Sequence, residues 1–122
     1  MSHKEMAKTF LRMASSGDVR AAYDKFIAPD FIHHNQYFKG DRQSLLTAME
    51  QAAKQSPNKA IEVKQVFEEG DTVITHSQVV RKGTEASIAV VHIFKFKDDK
   101  VIELWDLGQE VMKDSPNENG MF

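Results

Sequence analysis

Three ionisable side chains fall on strand faces that the sequence pattern predicts to be buried. His76, His92 and Asp106 each share parity with apolar residues in segments where side chains alternate between two faces. Burying such groups costs free energy unless they pair with one another or serve a ligand. A carboxylate beside an imidazole fixes its tautomer and raises its basicity, which suits proton transfer near neutral pH. We therefore predict that Asp106, His92 and His76 are catalytic residues.

This prediction depends on how the strands pair. The inward set before the Asp98-Asp99 turn is Ile88, Val90, His92, Phe94 and Phe96, and the set after it is Ile102, Leu104 and Asp106. A hairpin loop of odd length, such as three residues, makes the two sets face the same side. His92 and Asp106 are then directly opposite or diagonal, with Cβ atoms about 5 or about 7 Å apart. A similar loop at Gly83-Thr84-Glu85 would bring His76 beside His92.

The elements that position these residues begin with three predicted helices. Ser2 and Glu5 fit a capping box, Gly17 ends the first helix, and Asp18 is predicted to cap the second. Ala28-Pro29 stops the second helix, and the third runs from Asp41 to just before Ser56-Pro57-Asn58. Their apolar stripes are Ala7, Phe10, Leu11 and Ala14, then Val19, Ala22, Tyr23 and Phe26, then Leu45, Met49 and Ala52.

The second half of the chain changes to the period of a strand. Residues of about 61–69, 72–81, 86–97 and 101–111 are rich in Val, Ile and Phe and are separated by turn residues. Val66 breaks the alternation of the first strand and suggests a bulge. Helices followed by hairpin-linked strands predict a segregated α+β domain, with helices covering one face of a bent antiparallel sheet around a pocket.

The opposite face of the sheet is also apolar, with Val91, Ile93, Trp105 and Leu107 among polar residues. An exposed face of this kind favours a homodimer packed sheet to sheet. The alternative is a second small cluster covered by loops or by the tail, residues 113–122. That tail ends in Met121-Phe122, which we expect to dock near the pocket or the dimer interface.

The composition fits one globular domain over residues 1–122, with 41% hydrophobic and 28% charged residues. A net charge of −2 offers no electrostatic surface for nucleic acid or for an anionic membrane. The absence of cysteine excludes disulfides, thiolate nucleophiles and Cys-ligated zinc, and is compatible with a reducing compartment. The first residues lack the apolar run of a signal peptide, so we expect a cytoplasmic protein.

Several short motifs, taken in order, resemble the SnoaL-like family of the NTF2-like superfamily. They are Asp30-Phe31-Ile32-His33-His34-Asn35, Glu69-Gly70-Asp71, Thr75-His76-Ser77, Val90-Val91-His92-Ile93-Phe94, Glu103-Leu104-Trp105-Asp106 and Asn119-Gly120-Met121-Phe122. The resemblance implies a cone-shaped α+β barrel with a deep pocket, usually in a homodimer. The namesakes of the family are polyketide cyclases, so the resemblance also implies ring closure by aldol condensation with an Asp and a His, without metal or cofactor. Relatives on this fold include isomerases, an epoxide hydrolase, a dehydratase and members that only bind ligands.

Carried over by position, His34, His76 and Asp106 match the polar pocket residues of that family. His92 stands where the family more often has Asp, Leu104 where it often has His, and Gln36 replaces a common Pro. One of His33 and His34 should face inward, and the resemblance favours His34. The predicted substrate-binding residues are His34, Asn35, Gln78, Phe94, Leu104, Ile74 and Tyr23.

The resulting hypothesis is a cofactor-independent enzyme for a small apolar carbonyl compound. Asp106, or His92 oriented by Asp106, removes a proton next to the carbonyl, and His76 or His34 donates to the enolate oxygen. One alternative is a binding module that uses the same pocket or sheet without catalysis; another is a pure assembly domain. Two histidines and a carboxylate could also form a facial triad for iron, although they come from separate strands.

Overall fold

The computed structural model describes residues 1–57, 59–83 and 86–122. Within these residues the chain forms three helices and five strands in the predicted α+β arrangement. In chain order they are α1 (His3–Ser15), α2 (Val19–Phe26), β1 (Ile27–His34), α3 (Arg42–Gln55), β2 (Lys59–Glu69), β3 (Thr72–Arg81), β4 (Ser87–Lys97) and β5 (Lys100–Glu110). In the part of the chain described, no helix is both long and apolar enough to cross a membrane.

Local sequence signals set the helix ends. The Ser2 hydroxyl accepts a hydrogen bond from the Glu5 N–H at 3.1 Å, and Asp41 accepts one from the Ser44 N–H at 3.0 Å. Gly17, whose φ is +103°, turns the chain after α1 in a conformation that favours glycine. The expected cap on α2 is wrong, because the side chain of Asp18 makes no capping hydrogen bond.

The sheet is mixed, with strand order β1-β5-β4-β3-β2. The prediction of a wholly antiparallel sheet is therefore wrong at β1, which runs parallel to β5 along one edge. Sequence periodicity did not mark this strand, whose partner lies far along the chain. With β1 and β2 at its two edges the sheet is open, so the closed barrel implied by the resemblance is not formed.

Of the two registers that the sequence left open, the β4–β5 hairpin has the one in which His92 lies directly opposite Asp106, but it reaches this register by a different route from the one predicted. Asp98 and Asp99 have φ of 51° and 59° and form a two-residue turn between Lys97 and Lys100, instead of a three-residue loop. The register then shifts by one, because Ile102 is an extra residue on β5. This bulge restores the parity that the short turn would otherwise have reversed, and it buries Val101 instead of Ile102.

The parity predicted for β3 is wrong. Thr75, not His76, pairs with His92, while His76 pairs with Val91. The fully buried residues of β3 are accordingly Val73, Thr75 and Ser77. The loop predicted through Thr84 and Glu85 lies outside the described residues.

The helices cover one face of the sheet, which we call the inner face, and the other is the outer face. The core between helices and sheet includes the rings of Phe10, Tyr23 and Phe94, with Phe10 edge-on to Phe94 at 6.1 Å. On β2 the register shifts between Val63 and Gln65, as the broken alternation suggested. Because of that shift, the inner face of β2 carries Ile61, Val63 and Val66, which all pack against the core.

Candidate functional site

A polar cluster occupies the inner face where β1, β5 and β4 lie side by side. His33 Nε2 is 2.7 Å from Asp106 Oδ2, and the side-chain amide of Asn35 donates to the other carboxylate oxygen. The His33 side chain is fully buried and that of Asp106 is 18% exposed. His92 lies opposite Asp106 on β4. Two hydrogen-bonded neighbours therefore fix the Asp106 carboxylate beside a third polar group.

The local fold explains why His33 and Asn35 reach Asp106. His33 pairs with Leu104 across the parallel strands, so it is on the inner face near Asp106. The His33 N–H donates to the Gly40 carbonyl at 2.9 Å, and a Cβ on Gly40 would lie 2.9 Å from the His33 carbonyl oxygen. Asn35 Oδ1 accepts the Tyr37 N–H at 2.9 Å in a local turn, which directs its amide nitrogen toward Asp106.

The surroundings of Asp106 keep its carboxylate ionised. Burial alone would raise the pKa of Asp106, but the hydrogen bonds from His33 and Asn35 outweigh that effect and hold the pKa below its usual value. The nearby imidazoles of His33 and His92 act in the same direction. The cluster therefore contains a fixed negative charge at neutral pH.

His92 is held in its neutral form. Burial lowers the pKa of its imidazole from 6.5 to about 4, against the opposing influence of the Asp106 charge, and His33 lowers it further. His92 Nδ1 is buried and has no hydrogen-bond partner among the described residues. A neutral ring with a free nitrogen can accept a proton or make a hydrogen bond with a ligand.

His92 also lines a cavity of about 170 Å³ between α1, α3 and the sheet. The rest of the wall is mostly apolar and includes Leu11, Ala14, Met49, Ala53, Ile61 and Val79. Lys59 contributes to this wall, and burial together with the charge of Arg81 lowers the pKa of its ammonium group. The cavity combines apolar packing surface with a single imidazole, as small-molecule sites commonly do.

Asp106 is reached from a different direction. It lines an open cleft of about 510 Å³ at the ends of β1 and β5, together with Asn35, Gln36, Tyr37 and Trp105. The polar cluster thus lies between an apolar inner cavity, on the His92 side, and a solvent-exposed cleft, on the Asp106 side.

The comparisons with known proteins agree with this architecture. The model of the SnoaL-like domain matches residues 7–104, which is most of the chain. The chain belongs to the SnoaL-like family. A search of curated protein sequences gave no significant match.

Solved structures with the same fold have distant sequences. An uncharacterized cystatin-fold protein from Novosphingobium aromaticivorans is 21% identical, with a TM-score of 0.73 over 88% of this chain and 98% of its own. A putative polyketide cyclase from Acidithiobacillus ferrooxidans is 18% identical, with a TM-score of 0.72 over 89% and 92%. AclR, a putative hydroxylase from Streptomyces galilaeus, is 24% identical, with a TM-score of 0.70 over 88% and 91%. These similarities show an NTF2-like, cystatin-type fold.

Two of the histidines expected in the SnoaL-like pocket lie on the outer face instead. His76 Nδ1 is 3.1 Å from Gln65 Nε2, and the His76 ring stacks on the Phe122 ring with 5.6 Å between the ring centroids. The His34 ring stacks on the Trp105 ring with 4.7 Å between the centroids, and His34 Nε2 is 2.6 Å from Glu103 Oε2. His33 takes the inward position that the resemblance assigned to His34. Successive side chains of a strand point to opposite faces, so only one of these two residues can face the core.

The other predicted binding residues divide between the two faces. Gln78 and Ile74 lie on the outer face, where Gln78 donates to the Ser87 hydroxyl at 3.0 Å and Ile74 is 39% exposed. Phe94 and Leu104 are buried in the core. Tyr23 is also buried, which raises the pKa of its phenol, and its O–H donates to Met49 Sδ at 3.2 Å.

Of the predicted set, the structure brings together His92, Asp106 and Asn35, and it adds His33. The iron triad considered for His76, His92 and Asp106 does not assemble, because His76 lies on the opposite face. Among the described residues, no three His, Asp or Glu side chains are grouped so that they could hold a metal ion. The tail is on the outer face, where Met121 lines a shallow pocket with His76, Val91 and Leu107.

Proposed function

We propose that this SnoaL-like protein binds a small apolar carbonyl compound in the inner cavity and transfers a proton on it without a metal or cofactor. One observation carries the proposal: a neutral His92 imidazole with a free Nδ1 lines an apolar cavity directly opposite an ionised Asp106. The similarity to a putative polyketide cyclase from Acidithiobacillus ferrooxidans agrees with aldol or isomerisation chemistry.

In the proposed reaction His92 is the base. With the ring proton on Nε2, the Nδ1 lone pair takes a proton from the carbon beside the carbonyl, and the electrons of that C–H bond form the enolate. The imidazolium can return the proton to another carbon, which gives an isomer. Alternatively the enolate carbon attacks a second carbonyl of the same molecule, and the resulting alkoxide takes the proton back from His92. Either sequence is balanced without a further reactant.

Asp106 supports this chemistry by its charge. A carboxylate opposite His92 stabilises the imidazolium that forms when the base is protonated, because opposite charges held close together attract each other. His33 and Asn35 are positioning residues in this scheme, since they hold both oxygens of Asp106. Their hydrogen bonds keep the carboxylate ionised and fixed in orientation.

A second candidate function is ligand binding without catalysis. The pKa of His92, about 4, makes it a weak base in the free protein, and this observation favours a neutral imidazole that only hydrogen-bonds a ligand. The two functions differ in whether the bound compound is chemically changed. Mass spectrometry of any compound that is retained through purification would show which ligand class the cavity selects.

The discriminating experiment uses acetophenone and cyclohexanone as probes in D₂O. NMR measures binding and the exchange of hydrogens next to the carbonyl. We expect His92→Gln and Asp106→Asn to lose about 10²-fold or more of the exchange rate while remaining folded. His76→Gln, on the outer face, is the matched control and should exchange like the wild type. Full exchange in His92→Gln would refute the catalytic role, and binding without exchange in the wild type would favour the second function.

We also propose that the outer face forms a homodimer interface. This face carries a row of apolar residues that pair with one another across β2 to β5, namely Phe67, Ile74, Ile93 and Trp105. Leu107, which is nearby, is 61% exposed. A two-fold axis would pack this surface against its own copy. Light scattering should show a dimer for the wild type and a monomer for Leu107→Glu. A monomeric wild type at micromolar concentration would refute the interface.

A further inference from the structure

Two cavities adjoin at the end of the sheet where β2 begins. The inner cavity of about 170 Å³ has His92 in its wall, and a second cavity of about 250 Å³ is lined by residues at the ends of β2, β3, β4 and β5. We call the second one the end cavity. Lys59 and Val79 line both cavities, so the two spaces meet along these residues. Among the described residues, Lys59 is the one formally charged side chain in the wall of the inner cavity, because His92 is neutral.

The end cavity has a charged wall. Lys59 and Arg81 pair directly across β2 and β3, so the two cations lie on the same face of the sheet. Glu110 adds one carboxylate, and the described residues of this wall therefore carry two positive charges and one negative charge. Like charges directly opposite each other destabilise a sheet, and an anion beside them would offset that effect.

The ammonium group of Lys59 lacks a counter-ion. Lys59 is half-buried, and it forms no ion pair within the described part of the chain, although Glu110 lines the same cavity. Burial, and then the charge of Arg81, lowers the pKa of this ammonium group. An anionic group of a ligand would supply the charge that Lys59 lacks and would accept hydrogen bonds from it.

Lys59 and His92 contact opposite ends of the inner cavity. Their partners on β3 are Arg81 and Thr75, six positions apart, and six residues of a strand span about 20 Å at most. Both side chains nevertheless reach the wall of one cavity. The ionised Asp106 opposite His92 would repel an anion at that end. A ligand that contacts both groups therefore has its carbonyl near His92 and its anionic group near Lys59.

The size of the inner cavity limits the part of the ligand between these groups. Its volume of about 170 Å³ is close to that of an engineered apolar protein cavity of about 150 Å³ that binds benzene. One six-membered ring fits this space. The end cavity, of about 250 Å³, has room for a charged substituent of that ring.

We infer that Lys59 binds a carboxylate of the ligand, and that the site takes a keto acid with one ring between its carbonyl and its carboxylate. The ring occupies the inner cavity, and the carboxylate lies beside Lys59 in the end cavity. This inference deepens the proposed function: it rests on a carbonyl compound occupying the inner cavity, but it does not require catalysis. Lys59 is a binding residue that determines specificity, and it takes no part in the proton transfer.

The test compares the affinities of para-acetylphenylacetate and its primary amide, which has the same shape without the charge. Calorimetry should show that the wild type binds the acid about 10-fold more tightly than the amide, because hydrogen bonds between charged groups are the stronger ones. Lys59→Met should lose this preference and keep its affinity for the amide. Equal affinities in the wild type, or an unchanged ratio in Lys59→Met, would overturn the inference. The wild-type ratio decides even if Lys59→Met does not fold.

Two further variants separate the local charge from the net charge of the protein. Lys97→Met removes the same charge at the opposite end of the sheet, where Lys97 pairs with Lys100, and should keep the wild-type ratio. Lys59→Arg keeps the charge in place and should keep most of the preference. A loss of preference in Lys97→Met, or a loss in Lys59→Arg as large as in Lys59→Met, would also overturn the inference.

The two proposals fail separately. His92→Gln should still prefer the acid, because Lys59 is at the other end of the cavity. A preference for the acid without exchange of the hydrogens beside the carbonyl leaves the role of Lys59 in place and refutes catalysis. Exchange of the acetophenone hydrogens in a wild type that does not distinguish acid from amide supports catalysis and refutes the role of Lys59. Failure of the wild type to bind either new probe at millimolar concentration would overturn the inference, while acetophenone exchange still tests the proposed function.

Discussion

Mild acid should destabilise this protein through a single residue, His92. Its pKa is about 4 in the folded protein and 6.5 in the unfolded chain, so the folded state binds fewer protons. The contribution of His92 to the free energy of unfolding is therefore fully present above pH 6.5 and is lost as the pH drops from 6.5 toward 4. The full difference corresponds to about 3 kcal/mol in the free energy of unfolding, of which about 2 kcal/mol is lost between pH 7 and pH 5.

The pH range from 7 to 5 distinguishes the contribution of His92 to stability from that of Asp106. The pKa of Asp106 is lowered below its ordinary value of 3.8. Its contribution is therefore present above pH 3.8 and is lost only as the pH falls further through the lower folded value. Between pH 7 and pH 5 that carboxylate is ionised in both the folded and the unfolded states. The destabilisation expected in this range therefore reports on the His92 imidazole.

The assay is urea unfolding at pH 7, 6 and 5 for the wild type and His92→Gln. The wild type should lose about 2 kcal/mol more than the variant over this range, and His76→Gln should follow the wild type. NMR of the ring hydrogens provides a direct check, because the His92 signal should stay unchanged down to pH 5. Parallel pH profiles for wild type and His92→Gln, or a His92 titration near pH 6.5, would refute the argument.

Three further outcomes follow from described contacts. Gly40→Ala should lower the free energy of unfolding by about 1–3 kcal/mol in urea titrations, because its Cβ would crowd the His33 carbonyl oxygen. Ala53→Leu should fill part of the inner cavity, raise the melting temperature and abolish acetophenone binding; tight binding in this variant would place the ligand elsewhere. Deleting Met121 and Phe122 should change the NMR shifts of His76 while leaving those of His92 unchanged, and the reverse pattern would contradict the contact on the outer face.

The sequence predicted the helices and the pairing of His92 with Asp106 because both depend on strong local patterns. Apolar residues recur at helical spacing in the first half, and β4 combines Phe94, Phe96 and His92 on one face. The route to the correct register was nevertheless wrong. A two-residue turn and a bulge at Ile102 together give the same parity as the three-residue loop that was expected.

The face of β3 was mispredicted because both of its faces carry apolar residues. Ile74 and Val80 made the even face look buried, while the polar Thr75 and Ser77 made the odd face look exposed. The register with β4 decides between them, and periodicity within β3 contains no information on it. The same ambiguity hid the burial of Thr75 and Ser77.

His33 was missed because β1 could not be recognised as a strand from its own residues. This strand contains Pro29, a residue that is uncommon inside strands, and its partner β5 lies about 70 residues away in sequence, as the His33–Asp106 separation of 73 shows. Phe31 and Ile32 are both apolar, so alternation alone did not choose between His33 and His34. The family resemblance favoured His34, and the parallel pairing with β5 places His33 inward instead.

The bulge decides which residues of β5 face the helices. With the two-residue turn, a regular ladder through Ile102 would place that residue opposite Lys95 and Trp105 opposite His92, so Asp106 would turn to the outer face. Because Ile102 is the unpaired residue, deleting it would leave Lys95 opposite Glu103 and His92 opposite Asp106 in a ladder without a bulge. A chain shortened by this one residue therefore keeps the carboxylate beside the imidazole, whereas a chain of full length keeps it only as long as the irregularity persists.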